Sequence, residues 1–409
     1  TMVTAGVYMI GRLNGLYFHA EIASSVVLHV GAATAVFAAS IGLVQNDIKK
    51  VLAYSTVSQL GFMFAAMGAG AYAVGIFHLM THAFFKACLF LGSGSVIIAM
   101  WHSQDMRHYG GLRKYMPLTH WTFFIATLAI SGLPFFAGFY SKDEILWWSI
   151  ASERGTVVSW VMLTTAAFFT AFYMFRIMWM TFWGEHRGVP AEMMHHHGDD
   201  HGHDDHHVDP ETWRPTESPW TVTVPLVALG LLSLFGGYLG VTKVTSFGIT
   251  DTNLVHHWLH PVIASSEVHV TEAMHSAPIE WSLMILSVVV ALAAIGLSWL
   301  MYRAMPALPG ALAASWVGLH QILMDKWRVD ELYEATIVQP ILNGSREILW
   351  KKIDVGIIDR TVHGVSHGAP RLAGLFSGWQ DGSTQRYALW MSLGLFVLCA
   401  LLLLFPGLM

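Results

Sequence analysis

Residues 281–302 read WSLMILSVVVALAAIGLSWLMY, a run without a single Asp, Glu, Lys or Arg. A membrane-spanning helix needs about 20 consecutive apolar residues, so this run predicts a transmembrane helix. Its residues do not alternate between apolar and polar, as those of a membrane β-barrel strand would. Further uncharged runs of similar length occupy residues 22–44, 115–141, 155–175, 218–242 and 387–409. The predicted fold class is therefore an all-α polytopic membrane protein.

The composition of the 409 residues supports this fold class. Hydrophobic residues make up 54% of the chain, and charged residues make up 12%, whereas soluble domains carry about 25% charged residues. These values exclude a soluble globular enzyme, a nucleic-acid binder and a disordered protein. Cys88 and Cys399 both lie in apolar runs, where they cannot form an iron–sulfur cluster or a zinc site without further ligands, so we interpret them as small buried hydrophobic residues. Because the chain opens with Thr1 inside an apolar helix, we expect further residues to precede it.

The apolar runs predict nine spans, of which the fifth is interrupted. They cover residues 1–18, 22–44, 51–68, 71–100, 117–150, 156–183, 218–241, 278–302 and 385–406. The tripeptide Gly68-Ala69-Gly70 is predicted to turn the chain between the third and fourth spans, since glycine tolerates tight connections. Basic residues are concentrated in alternate loops: Lys49, Lys50, Arg107, Arg113, Lys114, Arg187, Arg214 and Arg303, against Arg154 and Lys243 in the others. The richer loops are predicted to be cytoplasmic, which places the C-terminus on the opposite side.

The fourth span carries three ionisable residues, although such groups are costly in hydrocarbon and tend to be functional there. His78, His82 and Lys86 are spaced four residues apart, so they share one face of a helix. A row of titratable groups can pass protons along a line with intervening waters, and histidine suits this role near neutral pH. The alternative is that they only hydrogen-bond neighbouring helices. Three such groups in register favour a proton relay.

The fifth span predicts a second site. Residues 132–134, Gly-Leu-Pro, interrupt it, because proline breaks a helix. Lys142, Asp143 and Glu144 follow the break, and transporters place ion sites at discontinuous helices. The alternative ends the span at Tyr140 and puts the charged triplet in a loop. The apolar residues 145–148 favour the interrupted span.

Three other polar residues have less specific interpretations. His29 in the second span is either a satisfied core histidine or a functional group, and the sequence leaves this open. Arg176 is expected to snorkel or to find a partner near the cytoplasmic end of its span. Asp47 is expected to cap the third span rather than to feed protons inward.

Two segments are not predicted to span the membrane. Residues 185–215 contain the run MHHHGDDHGHDDHH at 194–207, which could bind zinc, nickel or copper ions but is interpreted as a disordered insertion with incidental metal affinity. Residues 306–384 show apolar residues at helical spacing among charges. They predict a long amphipathic segment on the membrane surface. Pro340 and Pro370 are expected to kink or interrupt it.

Three motifs resemble the antiporter-like proton-pumping subunits of respiratory complex I, the NADH–quinone oxidoreductase. They are NDIKKVLAYSTVSQLG at 46–61, FHLMTHAFFK at 77–86 and GFYSKDEIL at 138–146. The tail motifs DELY at 330–333 and IDVGIID at 353–359 resemble the lateral-helix region of the largest such subunit, chain L or subunit 5. The resemblance covers essentially the whole chain. It implies an antiporter-like helix bundle with one discontinuous helix and a long amphipathic lateral helix before the last transmembrane helix.

The resemblance also implies roles. His78, His82 and Lys86 match the central proton relay, and Lys142 with Asp143 matches the proton exit. It implies no cofactor-binding or metal-binding residue in this chain, since NADH, FMN, the iron–sulfur clusters and quinone belong to partner subunits. The implied partners are the lipid bilayer and the other membrane-arm subunits, contacted in part by the lateral helix, with no nucleic acid. The implied location is the bacterial inner membrane.

The same resemblance divides the chain into segments. They are the last helix of a truncated first repeat at 1–18, a second five-helix repeat at 22–183, the histidine-rich loop at 185–215, two further spans at 218–302, the lateral segment at 306–384 and the last span at 385–406. Several alternatives stay open. The chain could belong to a multi-subunit sodium/proton antiporter or a membrane-bound hydrogenase, or it could be a metal-ion transporter that loads through residues 194–207. Within the main interpretation, residues 306–384 are expected to act as a structural clamp on neighbouring subunits.

Overall fold

The computed structural model describes residues 2–188, 214–242, 252–266, 268–271, 274 and 276–404. These residues form two compact units, 2–327 and 328–404, and each is described on its own. The histidine-rich run at 194–207 lies outside the described residues, and so does Lys243.

The described residues of the first unit are mainly α-helical. Its helices are α1 (Met2–Arg12), α2 (Asn14–His19), α3 (Glu21–Gly42), α4 (Ile48–Gly68), α5 (Tyr72–Ala99), α6 (Pro117–Ser131), α7 (Ala137–Ala151), α8 (Val157–Thr181), α9 (Trp220–Phe235), α10 (Leu254–Ile263), α11 (Ala277–Trp299), α12 (Leu308–Ser315) and α13 (Val317–Met324). The described residues depart from the all-α prediction at one antiparallel pair of two-residue strands, β1 (Gly240–Val241) and β2 (Thr252–Asn253).

Seven helices of the described residues are long and apolar enough to cross a membrane, which confirms an all-α polytopic membrane protein. They are Glu21–Gly42, Ile48–Gly68, Tyr72–Ala99, Val157–Thr181, Trp220–Leu239, Ala277–Ala304 and Thr384–Leu404. Each corresponds to one of the nine predicted spans. The other two predicted spans consist of shorter pieces: residues 1–18 contain α1 and α2, and residues 117–150 contain α6 and α7.

Loops that the charge pattern assigns to the cytoplasmic side meet at one end of the bundle. The backbone N–H of Ile48 donates to the carbonyl of Gln104 at 3.0 Å, and that of Met106 donates to the carbonyl of Asn46 at 2.9 Å. Arg176 of α8 donates to the side-chain oxygen of Asn46 at 2.6 Å. These bonds tie the α3–α4 loop, the α5–α6 loop and the end of α8 together, and we call this the inner end.

Loops of the other predicted side meet at the opposite end, which we call the outer end. The backbone N–H of Glu153 donates to the carbonyl of His269 at 3.2 Å. Arg154 donates to the carbonyl of Phe18 at 2.5 Å. The turn at Gly70 also reaches the 268–270 segment, because a Cβ added there would collide with Val268. The two groups of loops therefore separate as the distribution of basic residues predicted.

Helices α3 and α4 pack at backbone distance. A Cβ added to Gly31 would lie 2.6 Å from the backbone nitrogen of Ala65, and one added to Gly61 would lie 2.6 Å from the carbonyl oxygen of Gly31. Small residues allow such close packing in membranes, where lipid gives no hydrophobic drive for helix association. Ser58 adds an interhelical bond from its hydroxyl to the carbonyl of Ala35 at 2.9 Å. This contact holds α4, the partner of α5, in a fixed position.

The interruption of the fifth predicted span lies between α6 and α7, at residues 132–136. Gly132 takes a left-handed backbone with φ +76°, as does Phe135 with φ +75°. Gly138 lets the start of α7 cross close to the end of α6, since an added Cβ would overlap the carbonyl of Ala129. Each half has 15 residues, and neither alone crosses about 30 Å of hydrocarbon at 1.5 Å per residue.

The second unit is a long helical stretch followed by a separate helix. α14 (Val329–Tyr333), α15 (Gln339–Gly344) and α16 (Arg360–Ser377) are joined without a break by π-helical turns at Glu334–Val338 and Ser345–Asp359, and α17 (Thr384–Leu404) follows. Helical structure thus continues through Pro340 and runs through Pro370, so neither proline interrupts it. The helix-register changes around Pro340 keep the chain helical where proline supplies no N–H.

The predicted lateral segment does not coincide with one unit. Its residues 306–327 belong to the first unit and the rest to the second. Within the first unit, the Trp327 indole donates to the hydroxyl of Ser40 at 3.0 Å, and Gln45 donates to the carbonyl of Met324 at 3.2 Å. The first part of the lateral segment is therefore hydrogen-bonded to the inner end of α3 and to the α3–α4 loop.

The contact between α3 and α4 gives a stability prediction. We expect Gly61→Ala to lower the free energy of unfolding by about 2 kcal/mol or more, because the new methyl group meets backbone atoms that cannot move aside. Gly296→Ala in α11 is the matched control, since its methyl group would meet no atom within 4 Å. Thermal unfolding of the purified protein in detergent measures both. Equal unfolding midpoints would contradict the packing described here.

Candidate functional site

Four of the predicted site residues are buried in the first unit, on α5 and α7. His78 is 0% exposed, His82 6%, Lys86 5% and Lys142 2%. The turn at Gly70, with φ +83°, reverses the chain so that α4 and α5 run antiparallel. α5 also contacts α6 and α7. The titratable face of α5 is thus enclosed by protein rather than lipid.

His78 is held from two sides. Its Nε2 lies 3.1 Å from Oε1 of Gln59 on α4, and its Nδ1 lies 2.9 Å from the hydroxyl of Ser141 on α7. The same hydroxyl lies 2.8 Å from that of Thr81. Gln59, Ser141 and Thr81 are themselves fully buried. The imidazole therefore connects three helices through a continuous hydrogen-bonded group.

His82 lies next along α5 but is not hydrogen-bonded to His78. The centroids of the two rings are 6.3 Å apart, and Phe85 packs edge-on against the His82 ring at 5.4 Å. Within the described part of the chain, His82 Nε2 has no hydrogen-bond partner, and neither has the side-chain nitrogen of Gln59. A buried polar atom without a partner costs about 1–3 kcal/mol, so both atoms favour internal water. The 6.3 Å between the ring centroids of His78 and His82 excludes direct proton transfer between them.

Lys86 sits midway along α5, where its ammonium finds neutral oxygen acceptors on α4. Its Nζ donates to the carbonyl of Leu52 at 2.8 Å and to the hydroxyl of Ser55. The Nζ also lies 5.4 Å from the ring centroid of Phe90, a cation–π distance. None of the described carboxylates forms an ion pair with it.

Lys142 uses the interruption between α6 and α7. Its Nζ donates to the carbonyl of Ile130 at 3.3 Å. Ile130 lies in the last turn of α6, where carbonyls have no partner within the helix. The Nζ also lies 4.9 Å from the ring centroid of Phe62 on α4. The broken helix thus supplies the acceptor that stabilises a buried ammonium.

Asp143 faces away from Lys142, toward α11. The hydroxyl of Ser287 donates to its carboxylate at 2.5 Å. The structure therefore separates two adjacent residues that the sequence grouped into one site, because neighbouring positions on a helix point about 100° apart.

Asp143 lines a cavity of about 460 Å³ that extends to the outer end of the bundle. Its wall includes the loop residue Gly70 and the residues Glu144, Glu280 and His269. The cavity therefore reaches from the polar side of α7 to the loops.

The remaining polar residues have structural roles or partners. Asp47 caps α4 by accepting the backbone N–H of Lys50 at 3.1 Å, which confirms the capping prediction. Arg176 is buried and pairs with the α3–α4 loop. His29 lies nearer the outer end than the middle of its span, since its Nε2 is 3.3 Å from the hydroxyl of Thr156 at the start of α8.

Among the described residues, no group of three or more His, Cys, Asp or Glu residues is arranged to hold a metal ion. The metal-binding hypothesis for residues 194–207 concerns residues that the structure does not describe.

Sequence reasoning missed Gln59, Thr81 and Ser141 as members of the site. Ser141 precedes Lys142 in the third motif, and Gln59 is the one amide side chain of α4. Their signal was a polar side chain inside an apolar run. That signal is weaker than a charge, because serine and threonine hydroxyls commonly bond their own helix.

Comparisons with known proteins place the chain in a family. Residues 1–170 match the protein-family model described as NADH:quinone oxidoreductase/Mrp antiporter, TM. Residues 199–314 match a second model, which describes the C-terminal transmembrane part of an NADH dehydrogenase (complex I) protein. This chain belongs to the NADH:quinone oxidoreductase/Mrp antiporter family. For a member of this family, the seven apolar helices and the bacterial relatives described next confirm a multi-pass inner-membrane protein.

Curated relatives of this antiporter-family chain are similar over nearly all of it. NADH-quinone oxidoreductase subunit L of Neisseria meningitidis serogroup A is 40% identical over 97% of this chain and 59% of the relative. Subunit L of Rhodobacter capsulatus is 38% identical over 97% of this chain and 61% of the relative. NAD(P)H-quinone oxidoreductase chain 5 of Synechocystis is 40% identical over 95% and 58%. The chain thus spans about three fifths of the length of these relatives.

The antiporter-family fold is also found among solved structures. A chain of the Mrp complex from Dietzia sp. DQ12-45-1b superposes with a TM-score of 0.53 at 19% identity, covering 98% of this chain and 36% of that one. At this identity the likeness concerns the fold alone, and it agrees with the antiporter-like bundle expected from the motifs.

The cavity gives a labelling prediction for this antiporter-family protein. In a background with Cys399→Ser, we expect Asp143→Cys to react with a water-soluble thiol reagent added at the outer side at least about tenfold faster than Lys142→Cys, because access governs thiol reaction rates. Asp143 lines the cavity, whereas Lys142 is buried among helices. Cys88 is buried and serves as an internal unreactive control. Equal labelling of the two variants would show that the cavity is closed or that α7 is turned differently.

Proposed function

We propose that this chain is a proton-translocating membrane-arm subunit of NADH–quinone oxidoreductase. The names of its relatives support the assignment, since they are subunits L and 5 of such oxidoreductases. The observation that carries the proton-transfer role is a pair of buried lysines that have no carboxylate partner among the described residues, with the buried histidines His82 and His78 beside them on α5. Membrane-buried ionisable groups mark ion pathways and proton relays.

The proposed path follows the described side chains from the middle of the bundle to its outer end. Lys86 takes up a proton, water next to His82 passes it to His78, and Lys142 receives it on α7. Because Asp143 faces the other side of α7, internal water must carry the proton from Lys142 to Asp143, and the cavity of about 460 Å³ then releases it toward the outer loops. Water is required beside His82, because its ring is 6.3 Å from that of His78 and its Nε2 is without a partner in the described residues.

Proton translocation by this chain would require energy that is released in partner subunits. Moving one charge against 100 mV costs about 2.3 kcal/mol, so the relay must be driven. In the proposed assignment, NADH, FMN, the iron–sulfur clusters and quinone are bound by partner subunits. Their redox reactions would change the charge and hydration of the buried axis.

The segment boundaries and the lateral helix belong to the same proposal. Residues 1–18 correspond to the last helix of a first repeat, 22–183 to the second five-helix repeat and 306–384 to the lateral segment. Residues 328–377 are almost wholly exposed within the described structure, and the exposed side chains include Ile341, Ile348 and Ile357. Exposed apolar side chains along one long helical stretch suit contact with neighbouring membrane-arm subunits and lipid.

The two lysines provide the direct test. We expect Lys86→Ala and Lys142→Ala in the full-length, assembled protein to lower NADH-driven proton flux by about tenfold or more, because each removes a proton-carrying group. Proton uptake into inverted membrane vesicles measures the flux, and quinone reduction measures electron transfer. Lys114→Ala is the matched control, since that exposed lysine lies in the α5–α6 loop outside the spans. Normal proton-to-electron ratios in both variants would contradict the proposal.

A second candidate is a subunit of a multi-subunit sodium/proton antiporter. The description of the matching family model names the Mrp antiporter, and the Mrp structure shares the fold. Replacing sodium by choline separates the two candidates. Proton movement that requires sodium and not NADH would favour the antiporter, whereas movement that requires NADH and not sodium would favour the oxidoreductase.

A further inference from the structure

His78 is the point at which α4, α5 and α7 are linked by side chains. Its two ring nitrogens have different partners, an amide oxygen at 3.1 Å on one side and a hydroxyl at 2.9 Å on the other. The amide oxygen of Gln59 can only accept a hydrogen bond, whereas the hydroxyl of Ser141 can donate and accept. The two nitrogens are therefore not equivalent for proton transfer.

We propose that Ser141 carries the proton between His78 and α7, and that Gln59 is a positioning residue that keeps the Nε2 proton on His78. This inference rests on the proposed proton-transfer function and assigns two residues to it. Because Gln59 accepts from Nε2–H, the neutral ring holds its proton on Nε2 and leaves Nδ1 free to exchange. Nδ1 is the nitrogen that faces Ser141.

The transfer step conserves protons at every atom. The Ser141 side chain first turns away from Nδ1, so that Nδ1 accepts a proton from an internal water on the His82 side and the ring becomes an imidazolium. When the side chain turns back, its Oγ takes the proton from Nδ1 while the hydroxyl releases its own proton to a water on the Lys142 side. The hydroxyl is then left donating to Nδ1, as before the transfer, and Nε2–H stays bonded to Gln59 throughout. Thr81, whose hydroxyl lies 2.8 Å from that of Ser141, orients it during the rotation.

The burial of the hydrogen-bonded group around His78 favours proton transfer through Ser141 over proton leakage to bulk water. His78, Gln59, Thr81 and Ser141 are all 0% exposed. Bulk water therefore cannot replace the hydroxyl directly, and a proton that leaves His78 must use Ser141. The position of Ser141 immediately before Lys142 on α7 delivers that proton to the helix that bears the next amine.

Ser141→Ala tests the hydroxyl, because it removes one oxygen and adds no volume. In the full-length, assembled protein we expect NADH-driven proton flux to fall by about tenfold or more, with Ser141→Thr recovering most of it. Ser149→Ala is the matched control, since Ser149 is a buried serine of α7 whose hydroxyl donates to the carbonyl of Leu146 in its own helix. Its flux should stay normal. Normal flux in Ser141→Ala, or equal losses in Ser141→Ala and Ser149→Ala, would overturn the role of Ser141.

The tautomer of His78 tests Gln59 without measuring activity. Nitrogen NMR of the ¹⁵N-histidine-labelled protein, taken as a difference from His78→Ala, should show a neutral ring protonated on Nε2. Gln59→Leu should remove that preference. A ring protonated on Nδ1 in the unmodified protein would overturn the role of Gln59.

His78→Ala distinguishes a failure of the proposed relay from a failure of the role assigned to Ser141. If this variant pumps normally, the proposed relay itself fails. If it loses pumping while Ser141→Ala does not, the relay stands and the assignment of Ser141 is wrong.

Discussion

An ammonium group in hydrocarbon must find oxygen acceptors or lose its charge, and this constraint governs the arrangement of the first unit. Lys86 meets it with a carbonyl and a hydroxyl of α4, and Lys142 meets it with a carbonyl at the end of α6. Neither uses a carboxylate from the described residues. Neutral acceptors stabilise a cation less than an ion pair does, so each lysine can lose its proton without stranding a buried negative charge.

The rest of the bundle holds these acceptors in place. The close contact of α3 with α4 positions Leu52 and Ser55, and the bonded loops at both ends keep the helices in register. The interruption after Ser131 places the α6 terminus at the depth of Lys142. Helix packing, the bonded loops and the interruption after Ser131 therefore all hold carbonyl and hydroxyl oxygens close to the amines of Lys86 and Lys142. Preorganised dipoles of this kind need no rearrangement when a charge arrives.

Much of this arrangement could be predicted from the sequence, because membrane helices follow from long apolar runs and loop charges separate the two ends. The spacing of His78, His82 and Lys86 placed them on one helix face, and a proline marked the break. The sequence did not reveal that Asp143 turns toward Ser287 or that Phe85 lies against His82. These facts depend on how helices rotate against one another, and helix rotation is set by packing between distant segments. The uninterrupted helix through Pro340 was also missed, since shifts in helical register are not visible in residue type.

The acceptor of Lys142 belongs to a different helix from the lysine itself, and the distance between them is 3.3 Å. A slide of α6 against α7 by about an ångström or two would carry that oxygen beyond bonding reach. Force that a neighbouring protein applies to the bundle would in this way change the proton affinity of the Lys142 amine. The junction between the two half-helices would then convert a mechanical displacement into a change in the charge of a buried amine.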